Sequence, residues 1–327
     1  MNYHAFSSKS IFVTGAAGFI GSEFVRQIQS LNYFDRIFLL DSFTYAADIN
    51  RISSVTNTPR FELIRGSIND TSAYNKALLE CSVAVHFAAE SHVDKSISNG
   101  YPFVETNVLG SYIFLENCRA NRNLLTLFVS TDEVYGSVLN GFSEENDKLD
   151  PSSVYSASKA ASDLLALANS RTHSQKLILT RCCNNYGKFQ HSEKFIPTII
   201  NNLLENKKVP VYGDGLNSRE WIHVSDHVNA LFQILLSGVP GEIYNIGTGD
   251  VKSNLEIVDM ILKLMNKDSS SISFVEDRKG HDYRYALNSN KIRDKILWEK
   301  KVNLEGGLSS TIEWYRNWKL QNSRVYS

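Results

Sequence analysis

Thr14-Gly15-Ala16-Ala17-Gly18-Phe19-Ile20-Gly21 stands between the apolar run Ile11-Phe12-Val13 and an amphipathic stretch that continues to Leu31. A strand running into three spaced glycines and then a helix is the opening of a dinucleotide-binding βαβ unit. Gly15 permits the tight turn, Gly18 lets the backbone approach a pyrophosphate, and Gly21 lets helix pack on strand. Phe19 and Ile20 fall in the first helical turn, where free N–H groups and the positive dipole end face the phosphates. The next apolar run ends in Leu39-Leu40-Asp41, 20 residues beyond Gly21. An acid there accepts hydrogen bonds from the adenosine ribose hydroxyls and repels a 2′-phosphate, so Asp41 favours NAD over NADP. Its plainer alternative is an Asp capping a turn at a strand end.

Outward from this unit the first half alternates. Strands are expected at Ile11–Thr14, Arg36–Asp41, Phe61–Gly66, Val83–Ala88, Leu125–Thr131 and Lys176–Thr180. Amphipathic stretches at Gly21–Leu31, Thr71–Leu79, Thr106–Arg119 and Val154–Ser170 lie between them. Strand alternating with helix implies a parallel sheet covered on both faces. The expected fold is therefore α/β, a Rossmann-like doubly wound parallel sheet. After Asn184 turn-rich segments appear, such as Tyr212-Gly213-Asp214-Gly215, with helical patterns at Phe195–Glu205, Ser225–Leu236 and Ser253–Met265. Residues 1–183 are read as the dinucleotide-binding domain and 184–327 as a smaller C-terminal α/β substrate-binding domain, with 224–247 returning to the main sheet.

The chain has 327 residues, 34 Lys+Arg against 35 Asp+Glu, and 43% hydrophobic residues. That balance excludes a disordered chain, and the lack of a basic excess argues against nucleic acid as a partner. No run reaches the roughly 18 apolar residues of a membrane helix. The start, Met1 to Ser10, lacks the apolar core of a signal peptide, so a cytoplasmic protein is expected. Cys81, Cys118, Cys182 and Cys183 are too few and too irregular for a disulfide scaffold or a zinc site, and no metal is expected. They read as small buried thiols.

Chemistry concentrates in two places. Tyr155-Ser156-Ala157-Ser158-Lys159 sets Tyr and Lys one helical turn apart on one face. An ammonium beside a phenol lowers its pKa, and a phenolate can take a hydroxyl proton as hydride leaves the same carbon. The plain alternative is a solvated Lys159 and a half-buried Tyr155. Val129-Ser130-Thr131-Asp132-Glu133 adds a hydroxyl and two adjacent carboxylates after the fifth expected strand. Adjacent acids on a loop are ordinarily solvated, but the carboxyl edge of a parallel sheet is where such folds bind ligands. Two carboxyls in different environments can divide acid and base roles. Along the same edge, Ser67 and Ile68 follow the third strand and can meet the adenine edge, while Ala88 and Ala89 let a flat cofactor, or simply a helix, lie close to the backbone.

Taken in order, these motifs resemble the dTDP-glucose 4,6-dehydratase family, a nucleotide-sugar-modifying branch of the extended short-chain dehydrogenases/reductases. The matching stretches run nearly end to end. They include Thr14–Gly21, Phe87–Asp94, Thr106-Asn107-Val108, Ser130–Gly136, Tyr155–Asp163 and Asn184-Asn185-Tyr186-Gly187. Tyr212–Gly215, Arg219–Val224, Tyr244–Gly247 and Asp277–Asp282 complete the series. The resemblance implies a lyase with NAD as catalytic cofactor and a nucleotide sugar as substrate. In it Tyr155, assisted by Thr131 and Lys159, takes the C4 hydroxyl proton as hydride passes to NAD. Glu133 then takes the C5 proton while Asp132 protonates the departing C6 hydroxyl, and the hydride returns to C6. It further implies that Asn184 and Arg219 approach the diphosphate, with Asn254 and Arg278 as partners. Lys194 lies near the base or sugar, and His92 and His281 fall on the substrate side. A homodimer is implied, joined through a four-helix bundle of the Thr106–Arg119 and Val154–Ser170 helices, with Val108, Leu109, Ile113, Leu164, Leu165 and Ala168 as the apolar stripe.

The chain departs from the family pattern at several positions. Ser67 replaces an Asp; Lys188 and Lys279 replace prolines; His191-Ser192 replaces an aromatic-Pro pair. These changes bear on the nucleotide more than on the reaction, so a UDP-sugar stays open as substrate. An epimerase or decarboxylase on the same scaffold is disfavoured by Asp132-Glu133. A non-catalytic NAD-binding module leaves both acids and the Tyr–Lys pair without a task.

Overall fold

The computed structural model describes residues 9–278 and 280–323; Lys279, one of the departures above, lies outside them. Seven strands form the central sheet: β1 (Ser10–Thr14), β2 (Arg36–Asp41), β3 (Phe61–Arg65), β4 (Val83–His86), β5 (Leu125–Thr131), β6 (Leu177–Cys182) and β10 (Ile243–Ile246). Their order is β10-β6-β5-β4-β1-β2-β3, and every pair is parallel. Strand order reverses between β1 and β4, and the crevice this opens at the carboxyl edge is where ligands bind in such sheets.

Alternation along each strand explains why both faces are covered. Ile11, Val13, Ile37, Leu39, Val83 and Val85 turn to a core shared with the helices Phe19–Leu31 and Val224–Ser237. Phe12, Phe38, Leu40 and Ala84 turn the other way, onto Tyr74, Leu78 and Phe114. The Val154–His173 helix is fixed at its start by Ser153 and Ser156, which cap each other's backbone reciprocally.

Two elements differ from expectation. The stretch expected as one helix from Thr106 begins as a π-helical turn, Val104–Gly110, and becomes α-helical over Ser111–Arg119. The widened turn lets Asn107 reach out of the helix: its Oδ1 accepts from Glu90 N, and its Nδ2 donates to Glu90 O and Ser158 Oγ. The described residues also close with a helix, Leu304–Ser323, that Gly306-Gly307 hid from the helical pattern. Leu304, Leu308, Ile312 and Tyr315 pack there against Ile199, Ile257 and Ile261 in a separate core.

Around that second core lie β7 (Asn184–Tyr186), β9 (Ser218–His223) and β11 (Val251–Ser253) in one small sheet, and β8 (Val209–Tyr212) with β12 (Ile272–Val275) in another. β7 follows β6 after one residue, so the chain passes from the large sheet to the small one directly beside the crevice. Among the described residues no helix is long and apolar enough to cross a membrane, and all four cysteines are buried free thiols.

The helix after β1 sits on the turn before it with no room to spare: a Cβ added at Gly21 would lie 2.2 Å from the Gly15 carbonyl oxygen. Gly21→Ala is therefore expected to lower stability by about 1–3 kcal/mol and to weaken dinucleotide binding. Thermal melting and ligand titration measure the two effects; wild-type values in both would show that the contact can relax.

Candidate functional site

Three adjoining cavities follow the carboxyl edge of the sheet. The first, of about 270 Å³, runs from the glycine turn to the acid pair and is lined by Gly15, Gly18, Phe19, Ile20, Gly21, Thr131, Asp132, Glu133, Tyr155 and Lys159. A narrower one beside it is lined by Asp41, Ser67, Ile68, Ala88 and Ala89 together with Gly15 and Gly18. The third, between the two halves of the chain, is lined by His92, Asn184, Lys194, Arg219, Asn254, Arg278 and His281. Glu133, Asn184, Gln190 and Lys194 line both the first and the third, forming a shared wall.

The first two cavities fit a dinucleotide. Gly15 has φ +66°, and a Cβ there would lie 2.8 Å from Ala88 N, filling the gap between β1 and β4. The Phe19–Leu31 helix starts at Gly18 with no capping side chain, which leaves its first N–H groups to an anion. Asp41 is 7% exposed. Its Oδ2 accepts from Ala17 N and its Oδ1 from Phe43 N, both at 2.8 Å. The turn-capping alternative is thus part of the arrangement: Asp41 fixes two loops while still lining the cavity. Ser67 likewise uses its Oγ to accept from Asn69 N at 3.1 Å.

At the end of β5 the chain turns through a 3-10 turn, Asp132–Tyr135, capped by Thr131, whose Oγ1 accepts from Glu133 N at 3.3 Å. The same hydroxyl donates to Asp132 Oδ1 at 3.2 Å and is hydrogen-bonded to Tyr155. Asp132 is 3% exposed. Burial, then the neighbouring Glu133, pushes its carboxyl well above the ordinary carboxylate range. Glu133 is also raised by burial, but Arg219, Arg278 and Lys194 oppose the shift. One carboxyl is thus driven toward the acid form, while its neighbour is held closer to the anion by three cations. Asp132 Oδ2 and Asn184 Oδ1 are buried with no hydrogen-bond partner in the protein, the condition of groups that meet a ligand.

The Tyr–Lys pair differs from expectation in its electrostatics. Burial, followed by the charge of Glu133, raises the Tyr155 phenol, and the bond to Thr131 only partly offsets this. Lys159 is pushed down to about 8 by burial, with Asp163 opposing. Its Nζ donates to Val129 O at 3.0 Å and lies 5.5 Å from the centre of the Phe128 ring, so the ammonium is committed to the β5 backbone.

On the third cavity's wall, Arg219 is 5% exposed and stands 4.4 Å from the Tyr285 ring centre. Its Nη2 donates to Asp282 O at 2.9 Å. Arg278 Nη1 meets Asp94 Oδ1 at 3.5 Å, and His281 Nδ1 meets Asp277 Oδ1 at 2.7 Å. Lys194 Nζ donates to Ser91 O, and His92 Nδ1 accepts from Lys95 N. Two cavity residues escaped the motif reading. Tyr45 covers Lys95, whose Nζ is 3.1 Å from the ring centre. Gln190 donates through Nε2 to Asn185 O and leaves a buried Oε1 without a partner. Tyr45 sits in the stretch after Asp41, where an aromatic was visible; a lone glutamine carries no signal until the fold brings it to the wall. Among the described residues no cluster suited to a metal ion occurs.

A family model described as GDP-mannose 4,6 dehydratase matches residues 12–311. A dTDP-glucose 4,6-dehydratase of Streptomyces niveus is 42% identical over 311 residues, covering 94% of this chain and 93% of that protein. The crystal structure of DesIV, a dTDP-glucose 4,6-dehydratase from Streptomyces venezuelae with NAD and TYD bound, superposes with a TM-score of 0.92 at 44% identity, over 94% of this chain and 97% of the other. The fold extends to a UDP-glucuronic acid 4-epimerase from Bacillus cereus, at TM-score 0.90 and 25% identity, over 94% of this chain and 99% of that one. With the order of its motifs, the geometry of its crevice and these similarities in agreement, the chain belongs to the dTDP-glucose 4,6-dehydratases, within the family described as GDP-mannose 4,6 dehydratase.

Proposed function

We propose that the protein converts dTDP-glucose into a dTDP-4-keto-6-deoxyglucose by NAD-dependent loss of water. The observation that carries this reading is the Asp132–Glu133 pair, both desolvated but only Glu133 faced by three cations, in one cavity with Tyr155 and the glycine turn. Gly15, Gly18, Gly21, Asp41 and the Ala88–Ala89 edge would hold NAD, which when bound supplies a two-electron acceptor and donor for the sugar. Tyr155 takes the proton of the C4 hydroxyl, with Thr131 sharing the same oxygen and Lys159 fixing the end of β5 beside them. The ketone so formed acidifies C5–H. Glu133 removes that proton, and Asp132, kept protonated by burial, gives its own to the C6 hydroxyl as it leaves. Arg219, Asn184, Arg278, Asn254, Lys194, His92 and His281 would bind the nucleoside diphosphate and orient the hexose. Incubation of the purified protein with dTDP-glucose and, separately, UDP-glucose tests the reading. The alkali-shifted absorbance of a 4-keto sugar is expected from the first, and its absence with both sugars would overturn the reading.

The organisation is read in the same way. We assign 1–183 and the returning 224–247 to the dinucleotide half and 184–327 to the sugar-nucleotide half; pairing of β10 with β6 supports the return. A cytoplasmic location agrees with four free thiols. A homodimer through a four-helix bundle is supported by the apolar side chains that the π-helical turn and its neighbours turn outward. Tyr101 is 69% exposed, Leu109 50% and Leu164 57%, as apolar side chains that meet a second copy would be in one protomer.

Glu133→Gln is expected to stop deuterium uptake at C5 while C4 oxidation persists, so that absorbance at about 340 nm builds up; removing a general base costs about 10²–10⁴ in rate. Uptake at the wild-type rate would exclude Glu133 as the base. Asp132→Asn should slow water loss more than C4 oxidation. It also carries a stability signature. The folded chain keeps a proton on Asp132 that the unfolded chain releases above about pH 4, so wild-type stability is lost as pH rises through the raised pKa. The variant escapes that loss, and its melting temperature should exceed the wild type's by a margin that grows from pH 4 to pH 7; a constant margin would contradict the buried-acid assignment. Leu164→Glu should convert the dimer to monomer by light scattering, and an unchanged dimer would move the interface elsewhere.

A further inference from the structure

Arg181, in β6, is 2% exposed and touches both parts of the proposed machinery. Its Nε donates to Asp163 Oδ2 at 2.9 Å. Asp163 lies one helical turn beyond Lys159 on the Val154–His173 helix and is wholly buried. The other side of the guanidinium serves the acid turn: Nη1 donates to the Tyr135 hydroxyl at 2.8 Å and to Glu145 O at 3.1 Å, with the group stacked 4.7 Å from the Tyr135 ring centre. Tyr135 is the last residue of the turn that carries Asp132 and Glu133. Its hydroxyl, having accepted from Arg181, donates onward to Asn245 Oδ1 at 2.8 Å. The turn is also tied on its far side, where Asp150 N donates to Val134 O at 3.1 Å and the Gly136 backbone passes too close to Asp150 O for any Cβ.

We propose that Arg181 and Tyr135 are positioning residues that hold the carboxyl-bearing turn in register with the helix carrying Tyr155 and Lys159. This rests on the dehydratase reading above, in which the helix serves C4 and the turn serves C5 and C6. A guanidinium is a rigid planar fork whose donors keep fixed angles. Removed from water, it is tolerated only with its donors matched, so it transmits position between the two elements instead of yielding. Proton transfer needs that register, since a displacement of about 1 Å can cost about 10²-fold in rate.

Tyr135→Phe removes one oxygen from the turn's side of the fork, and Asp163→Asn weakens the helix's side. Both are examined as holoenzymes beside the wild type with dTDP-glucose, by single-turnover absorbance for C4 oxidation and by deuterium uptake for C5 proton transfer. In Tyr135→Phe, C5 transfer is expected to fall about tenfold or more beyond any loss in C4 oxidation, with KM little changed. In Asp163→Asn the bias reverses, and the pH profile of C4 oxidation shifts. Amide hydrogen exchange supplies a readout independent of substrate: exchange at 132–136 should accelerate in Tyr135→Phe while the helix exchanges as in the wild type. Equal losses in both steps, or none, with unchanged exchange at 132–136, would overturn the proposal. An inactive wild type would instead overturn the dehydratase reading, leaving the exchange result to decide the positioning role.

Discussion

Backbone meets backbone without intervening side chains where β1 turns into its helix, and the crevice exists because of that contact. The Gly15 carbonyl fills the space a Cβ on Gly21 would need, and the Ala88 backbone fills the space beside Gly15. The first helix can therefore seat directly over the switch point of the sheet. A wider spacing would separate β1 from β4 and open the floor on which Asp41, Ala88 and Thr131 converge. Every feature of the site downstream of this turn inherits its position from a parallel sheet that carries the ends of β1, β2, β4 and β5 to one edge.

Within the crevice, burial and charge work against each other in a graded way. Asp132 receives burial with little compensation, whereas Glu133, its immediate neighbour, faces Arg219, Arg278 and Lys194. The difference comes from direction: consecutive residues of a tight turn point to different surroundings, one into the sheet's edge and one toward the second half of the chain. A polypeptide can thus give two identical functional groups different proton affinities with no intervening residue. Tyr155 is raised by burial first and by the same carboxylates second, despite a lysine one turn away on its own helix.

Much of this was legible in the sequence for physical reasons. Glycine spacing, strand-end acids and the i, i+4 Tyr–Lys pair are local patterns, and β2 and β5 begin and end where their apolar runs do. Local patterns fail where tertiary contacts decide. The π-helical turn at Val104–Gly110 follows from Asn107 bonding to Glu90 and Ser158, residues far along the chain. The closing helix has its apolar residues at helical spacing, but paired glycines near its start obscure them. The direction of the Tyr155 shift could not be read from a lysine four residues away, because the ammonium bonds instead to Val129 O. Arg181 belongs to no motif in the sequence, and only enclosure reveals what it joins.

The first and third cavities share a wall that includes Glu133, Asn184, Gln190, Glu193 and Lys194. Glu133 therefore belongs at once to the acid pair of the first chamber and to the chamber lined by Arg219 and Arg278. Whatever fills this outer chamber thus borders directly on a group that also belongs to the inner one.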